Sequence, residues 1–259
     1  RHLVSDVAGT TMDSVDSLVS WRGRELLFID TAGIRRKRSI AQRVEKYSVI
    51  AALKGLDRSD VALLLLDATQ PVARQDARVA AFAEEKGKAV VVVVSKWDCV
   101  PKGTTKKAFT TKLRQELAHL HYAPVVFTSS KSGEGLDRLL PTVLKVHKEY
   151  GRRVATGQLN RFAEAVMIDK PPPSRRGKRG RVCYISQVDV RPPRFMVSVN
   201  NPDLFHFSYR RFLVNAIREA HGLTGPPLVV EYKSHKKKTP EKKRVEKGKK
   251  KVATNRKKQ

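Results

Sequence analysis

The chain alternates between solid apolar runs and segments of helical periodicity. Residues 61–66 are apolar throughout and end in Asp67; residues 89–94 are one alanine and five valines, ending in Ser95; residues 125–127 lead into Thr128, Ser129 and Ser130. Runs with no polar face predict strands buried on both sides. Between and after them, residues 72–85, 106–120 and 136–150 carry helical patterns, the first closed by Gly87. Strands separated by helices imply βα crossovers, a parallel sheet and helices on both of its faces. Upstream, residues 18–21 and 25–29 flank Arg22-Gly23-Arg24 and predict a hairpin turning at Gly23. Its second arm delivers the chain to Asp30. Residues 44–56 are compatible with a further helix.

Beyond residue 150 the pattern changes. A helix over 154–168 is stopped by Pro171-Pro172-Pro173. Residues 174–181 form a basic, glycine-containing loop. Strands of alternating character cover 182–190 and 195–199, an amphipathic helix covers 207–221 up to Gly222, and a short strand covers 228–232. Helix, two strands, helix, strand makes a second, smaller α/β layer. From residue 233 lysines dominate and apolar residues nearly vanish, so a core is excluded and a disordered tail is expected. The division is therefore 1–150, 151–232 and 233–259.

Charge sharpens this picture. The net charge is +28, with 53 Lys and Arg against 25 Asp and Glu. The tail is steepest, with 14 basic and 2 acidic residues, but the excess runs through the whole chain. Such a surface seeks polyanions, nucleic acid first and anionic membrane second. The two cysteines, Cys99 and Cys183, lack metal-ligand spacing and make no disulfide framework, which fits a reducing compartment. No run reaches transmembrane length. The chain opens on Arg1 without an initiator Met, and is expected to be a fragment of a longer protein.

Three strand ends carry polar clusters: Asp30-Thr31-Ala32-Gly33, Ser95-Lys96-Trp97-Asp98 and Ser129-Ser130-Lys131. In a parallel sheet these lie along one edge, where ligands bind in open α/β folds. Asp30 can hold a hydrated Mg²⁺, and Gly33, lacking a Cβ, lets its N–H approach a phosphate. Thr10 and Thr11 offer hydroxyls to a metal. Asp98 can accept two hydrogen bonds from a base such as guanine, Lys96 can lay its stem along a ring, and the backbone of Ser129–Lys131 can donate to an exocyclic oxygen.

In this arrangement the chain resembles a translation-factor-class P-loop GTPase. Gly9-Thr10-Thr11 matches switch I, Asp30-Thr31-Ala32-Gly33 switch II, Ser95-Lys96-Trp97-Asp98 the guanine motif, and Ser129-Ser130-Lys131 the last base-contacting loop. More closely, it is similar to the second GTPase domain and KH-like domain of the Der (EngA) family, over about residues 3 to 232. Shared stretches include Ser5-Asp6-Val7-Ala8-Gly9-Thr10-Thr11, Ile34-Arg35-Arg36-Lys37, Tyr122-Ala123-Pro124, Pro171-Pro172-Pro173, Gln187-Val188 and His206-Phe207-Ser208-Tyr209.

The resemblance implies a three-layer P-loop GTPase-type domain followed by a KH-like domain. It implies GTP/GDP and Mg²⁺ as ligands, GTP hydrolysis, and action on the large ribosomal subunit and its rRNA late in assembly. No membrane is implied, and a first GTPase domain is expected earlier in the same protein. The compartment is the cytoplasm, or an organelle matrix or stroma. Asp30, Thr31, Ala32, Gly33, Ile34, Ser95, Lys96, Trp97, Asp98, Ser129, Ser130 and Lys131 become candidate GTP contacts, with Thr11 and Asp30 at the metal. No general base is assigned, because Ile34 stands where many GTPases keep a Gln. The basic segment Arg35–Arg38 is a candidate for coupling nucleotide state to RNA affinity.

Two departures matter. The chain contains no Gly-x-x-x-x-Gly-Lys-Ser/Thr, the loop that cradles phosphates, and its usual place is just before Arg1. The family's Asn at the start of the guanine motif is Ser95. Both support an alternative: a GTPase-derived RNA- or ribosome-binding module with impaired nucleotide use. Finally, Gly177-Lys178-Arg179-Gly180 has the Gly-x-x-Gly spacing of RNA-binding KH loops, but it precedes a strand rather than joining two helices, which favours a plain basic loop.

Overall fold

The computed structural model describes residues 16–29, 54–175 and 177–235. The chain starts there with a hairpin, β1 (Asp16–Trp21) and β2 (Arg24–Ile29), antiparallel and in register from Asp16↔Ile29 to Trp21↔Arg24. Arg22 and Gly23 both have positive φ, 48° and 72°. Two such residues make the turn whose twist matches the flanking strands. Arg22 lies over the Trp21 ring, 4.6 Å from its centroid. The hairpin is tied to the following domain by an ion pair between Asp16 and Arg58. Of the expected helix over 44–56, residues 54–56 are described and belong to a helical run that continues to 58.

The sheet that follows is parallel, as expected. β3 (Val61–Asp67), β4 (Ala89–Ser95) and β5 (Val125–Phe127) lie in the order β3-β4-β5, with Asp67 opposite Ser95. The valine run of β4 faces two cores. Val90, Val92 and Val94 pack with Ala80 and Ala83 of α1 (Arg74–Glu85) and Leu113 of α2 (Lys106–Glu116). Ala89, Val91 and Val93 pack with Val146 and Tyr150 of α3 (Leu136–Tyr150). Alternate residues of a strand point to opposite faces, so a strand with a helix layer on each side must be apolar at every position. The three layers of the GTPase-type domain follow.

Helix boundaries shift in the first domain. The segment expected as one helix over 106–120 stops at Glu116, and Ala118–Leu120 forms a separate 3-10 turn. α1 begins at Arg74, where the Ala73 N–H donates to the carboxylate of Asp76.

The second domain is α4 (Thr156–Asp169), β6 (Val182–Val190), β7 (Pro193–Val199), α5 (Phe207–His221) and β8 (Val229–Ser234). β6 and β7 are antiparallel, β7 and β8 parallel. The strands run further than the sequence pattern indicates: β7 starts at Pro193, and β8 includes Lys233 and Ser234, paired with Ser198 and Val199. The boundary expected at 232/233 therefore falls inside β8. Leu159, Ile185, Phe195, Val197, Leu213 and Ile217 form the core, with both helices packed on it. Buried Gln187 fastens the connection from α3: its carbonyl oxygen accepts from Val154 N–H at 2.7 Å, and its amide donates to the carbonyls of Arg152 and Asp189.

The two domains are joined by buried contacts. Gly225 accepts from Val90 N–H at 2.9 Å and donates to the Tyr122 carbonyl at 3.3 Å. The carboxylate of Glu149, at the end of α3, accepts from both the N–H and the hydroxyl of Thr224 at 2.6 Å. Arg218 of α5 lies over the Tyr122 ring, 4.1 Å from its centroid, and donates to the carbonyls of Leu223 and Pro226. Burial lowers the Arg218 guanidinium to about 10. Gly87 meets Pro192, and the Tyr150 hydroxyl donates to the Gly87 carbonyl at 2.9 Å.

Candidate functional site

Two of the three predicted clusters come together at the C-terminal edge of the parallel sheet. Ser95 ends β4, and the loop after β5 lies beside it because Thr128 N–H donates to the Val94 carbonyl and Trp97 N–H donates to the Thr128 carbonyl. Asp98 is exposed, and the Ser129 hydroxyl hydrogen-bonds its carboxylate, holding it below the usual carboxylate range. The neighbouring Cys99 thiol also donates to Asp98 Oδ2, at 3.5 Å, and its own pKa is pushed up by that contact.

The loop after β5 is built to hold its shape. Ser129 is fully buried. Its N–H donates to the Glu134 carbonyl, its carbonyl accepts from Gly133 N–H, and its hydroxyl oxygen accepts from Ser132 N–H. Among the described residues no backbone acceptor takes the N–H of Ser130 or Lys131. Gly135, at φ 73°, closes the loop: a Cβ there would lie 2.0 Å from the Phe127 carbonyl oxygen.

Three predicted contacts have distinct places. Trp97 turns inward, with its ring edge-on to Phe109 and Phe127 at centroid distances of 5.5 and 4.5 Å. It anchors the short 3-10 turn Trp97–Cys99 to the core. Ser95 donates its hydroxyl to the Leu66 carbonyl of β3 at 3.0 Å, tying the two strands. Lys96 takes a left-handed backbone, φ 54°, and its ammonium pairs with Asp67 at 2.8 Å.

Asp67 has no assigned role in the sequence reading beyond ending its strand. The signal was available: Asp67 and Thr69, two residues apart at a strand end, make an Asx-type turn. Here Asp67 Oδ1 accepts from the N–H of Thr69 at 3.0 Å and from its hydroxyl at 2.7 Å. Burial alone would raise this carboxyl, but the Lys96 and Thr69 hydrogen bonds outweigh it and hold the pKa at about 2.

Thr11, Asp30, Thr31, Ala32, Gly33, Ile34 and the basic run Arg35–Arg38 lie outside the described residues. So does the segment from 236 onward. Among the described residues no group of three or more His, Cys, Asp or Glu side chains is arranged to hold a metal, and no helix is long and apolar enough to cross a membrane. A cleft of about 2660 Å³ separates β2 from β3. Its walls include Leu26, Phe28, Leu63 and Leu65, and it reaches Asp67, Ser95 and Ser130.

This edge carries a hydrogen-bond acceptor and backbone donors on neighbouring loops. It comprises the exposed carboxylate of Asp98, the N–H groups of Ser130 and Lys131, which meet no backbone acceptor among the described residues, and Lys96 paired with Asp67. A ring with two adjacent N–H donors and a carbonyl oxygen matches that set.

Residues 153–233 match the family model described as the KH-domain-like C-terminal domain of EngA bacterial GTPase enzymes, and residues 1–96 match that of a 50S ribosome-binding GTPase. The GTPase Der of Caldanaerobacter subterraneus subsp. tengcongensis is 44% identical over 234 residues, 90% of this chain and 53% of that protein. The GTPase Der of Finegoldia magna is 42% identical, over 92% of this chain and 54% of that protein. That of Pelotomaculum thermopropionicum is 45% identical, over 88% and 52%. The chain thus spans about half the length of the curated relatives it matches.

Proposed function

Because this chain belongs to the Der (EngA) family of GTPases, we propose that it supplies the guanine-reading and RNA-facing portion of a protein that binds and hydrolyses GTP in late assembly of the large ribosomal subunit. One observation carries the reading: Asp98, the Ser130 and Lys131 amides and Lys96 converge on one sheet edge. Guanine presents N1–H and N2–H to Asp98 and its O6 to the amides; adenine has the opposite polarity at the ring carbon next to N1 and is rejected. Lys96, braced by Asp67, lies where its stem can cover the base.

Thr11 would coordinate Mg²⁺ and Asp30 would hold it through water; the ion would neutralise phosphate charge. Gly33 N–H would meet the terminal phosphate, and its release would free the basic run Arg35–Arg38. The partner is the large subunit and its rRNA, supported by the +28 net charge. A first GTPase domain in the same protein is part of this reading, as is a cytoplasmic or organelle-matrix location.

The complete protein, with whatever precedes Arg1, is titrated with fluorescent GDP and XDP. Guanine preference is expected. Asp98→Asn replaces an acceptor by a donor matched to the C2 carbonyl of xanthine, and should reverse the preference. Absence of saturable guanine nucleotide binding by the complete wild-type protein would overturn the enzyme reading. What remains is the second reading, an RNA-binding module with impaired nucleotide use. The Ser95 hydroxyl favours it, being engaged by the Leu66 carbonyl rather than turned to a base.

A further inference from the structure

From Lys170 to Val188 the chain has no acidic residue and six basic ones, five of them between Arg175 and Arg181. This stretch is not a loose loop. Arg175 and Lys178 exchange both backbone hydrogen bonds, at 2.8 and 3.0 Å, so the chain reverses tightly, with Gly177 at φ 72°. The foot of the turn is pinned to the domain. Gly180 is buried so closely that a Cβ there would lie 2.9 Å from the Phe205 ring and 3.2 Å from Pro172. Asn200 accepts from Arg181 N–H at 2.8 Å and donates to the Arg179 carbonyl at 3.0 Å. The Arg175 guanidinium donates to the Asp203 carbonyl.

Lys178, Arg179 and Arg181 are exposed and form no ion pair among the described residues. The exposed Asp203 holds Arg175 through its backbone carbonyl, not its carboxylate. Cations on a pre-ordered turn lose little further entropy when they meet a partner. The Gly-x-x-Gly spacing is distributed over the tip and the packed foot, so it does not form the flexible loop between two helices that clamps single-stranded nucleotides.

We propose that Lys178, Arg179 and Arg181, carried on this pinned turn, form a finger that grips the phosphate backbone of folded RNA without reading its bases. The proposal rests on the reading that this protein meets RNA, and adds where and how. RNA is favoured over a membrane because residues 174–181 carry no aliphatic or aromatic side chain to enter a lipid interface. The contact is electrostatic, so each phosphate neutralised should add close to one to the salt dependence of binding.

The test uses the complete protein, purified large-subunit rRNA as probe, and filter binding across a range of KCl concentrations. Lys178→Gln, Arg179→Gln and Arg181→Gln are combined, leaving Arg175 to anchor the turn. The expected result is affinity lower by about tenfold or more near physiological salt and a log–log salt slope smaller by about two to three, with an unchanged melting temperature. Wild-type affinity and slope in the triple variant would overturn the finger while leaving RNA binding in place. A wild-type protein with no salt-dependent RNA binding would overturn the RNA reading itself. Deletion of 236–259 is measured alongside; if it alone removes the slope and the triple variant does not, the finger is overturned. If the triple variant loses binding to phosphatidylserine vesicles but keeps it to RNA, the membrane alternative replaces the proposal.

Discussion

The Lys96 ammonium lies 2.8 Å from Asp67, a carboxylate whose side chain is only 6% exposed. Asp67 ends β3 and Lys96 directly follows the end of β4, so the pair ties the start of the Lys96 loop to the neighbouring strand. A charge-assisted hydrogen bond to a buried carboxylate is worth more than a surface ion pair.

Asp67→Asn should lower stability by about 1–3 kcal/mol at neutral pH. Asp67 titrates at about 2 when folded, below its unfolded value. Its stabilisation is therefore present above about pH 4 and lost as pH falls through the folded pKa. Urea unfolding of wild type and variant should show a gap at pH 7 that narrows toward pH 2. A gap independent of pH would contradict the assignment.

Ser95→Asn restores an amide at the head of the guanine motif. In the complete protein it should raise guanine nucleotide affinity several-fold, equivalent to about 1 kcal/mol, measured by fluorescent GDP titration. The Ser95–Leu66 tie is lost in this variant, so the gain should come with a small drop in melting temperature.

Gly87 and Gly177 have nearly the same backbone, φ 69° and 72°, but different surroundings. A Cβ on Gly87 would lie 2.8 Å from the Pro192 ring, whereas nothing lies within 4 Å of one on Gly177. Alanine at 177 should cost about 1–2 kcal/mol, the left-handed penalty alone. Alanine at 87 adds a clash across the domain joint and should cost about 2–4 kcal/mol. Equal losses in denaturant titrations would remove the joint from the explanation.

Glu149→Ala leaves the N–H and hydroxyl of Thr224 without their acceptor and should cost about 2–3 kcal/mol. Glu149→Gln keeps one acceptor oxygen and should lose less. Limited proteolysis should cut the alanine variant near 222–226 faster than wild type. Identical cleavage rates would show that Glu149 does not hold the joint.

The layered core was legible because β4 carries no polar residue from Ala89 to Val94, and only a strand between two helix layers needs that. Asp98 and the Ser129–Lys131 loop were legible as polar clusters at strand ends of one parallel sheet. What sequence could not supply were pairings across distance. The Lys96–Asp67 bond joins residues on different strands, and Ser95 gives its hydroxyl to a backbone carbonyl that has no sequence signature. The packing of the Trp97 ring against Phe109 and Phe127 has no signature in the motif that contains it. The end of the helix at Glu116 escaped because the apolar pattern continues through Leu117 and Leu120, both buried in the same core.

β4 reaches the candidate site at one end and the second domain at the other. Ser95 leads directly into Lys96, while Val90 N–H is bonded to Gly225. At about 3.3 Å per residue, those ends are about 20 Å apart. Interiors packed at this density compress little. The strand therefore forms a strut: on the reading proposed above, a displacement imposed where a base would sit would be carried to the second domain as a push along or a tilt of one stiff element. On the same reading, the timing of nucleotide turnover and the aim of the basic turn would be linked by leverage, with no relay of side chains required.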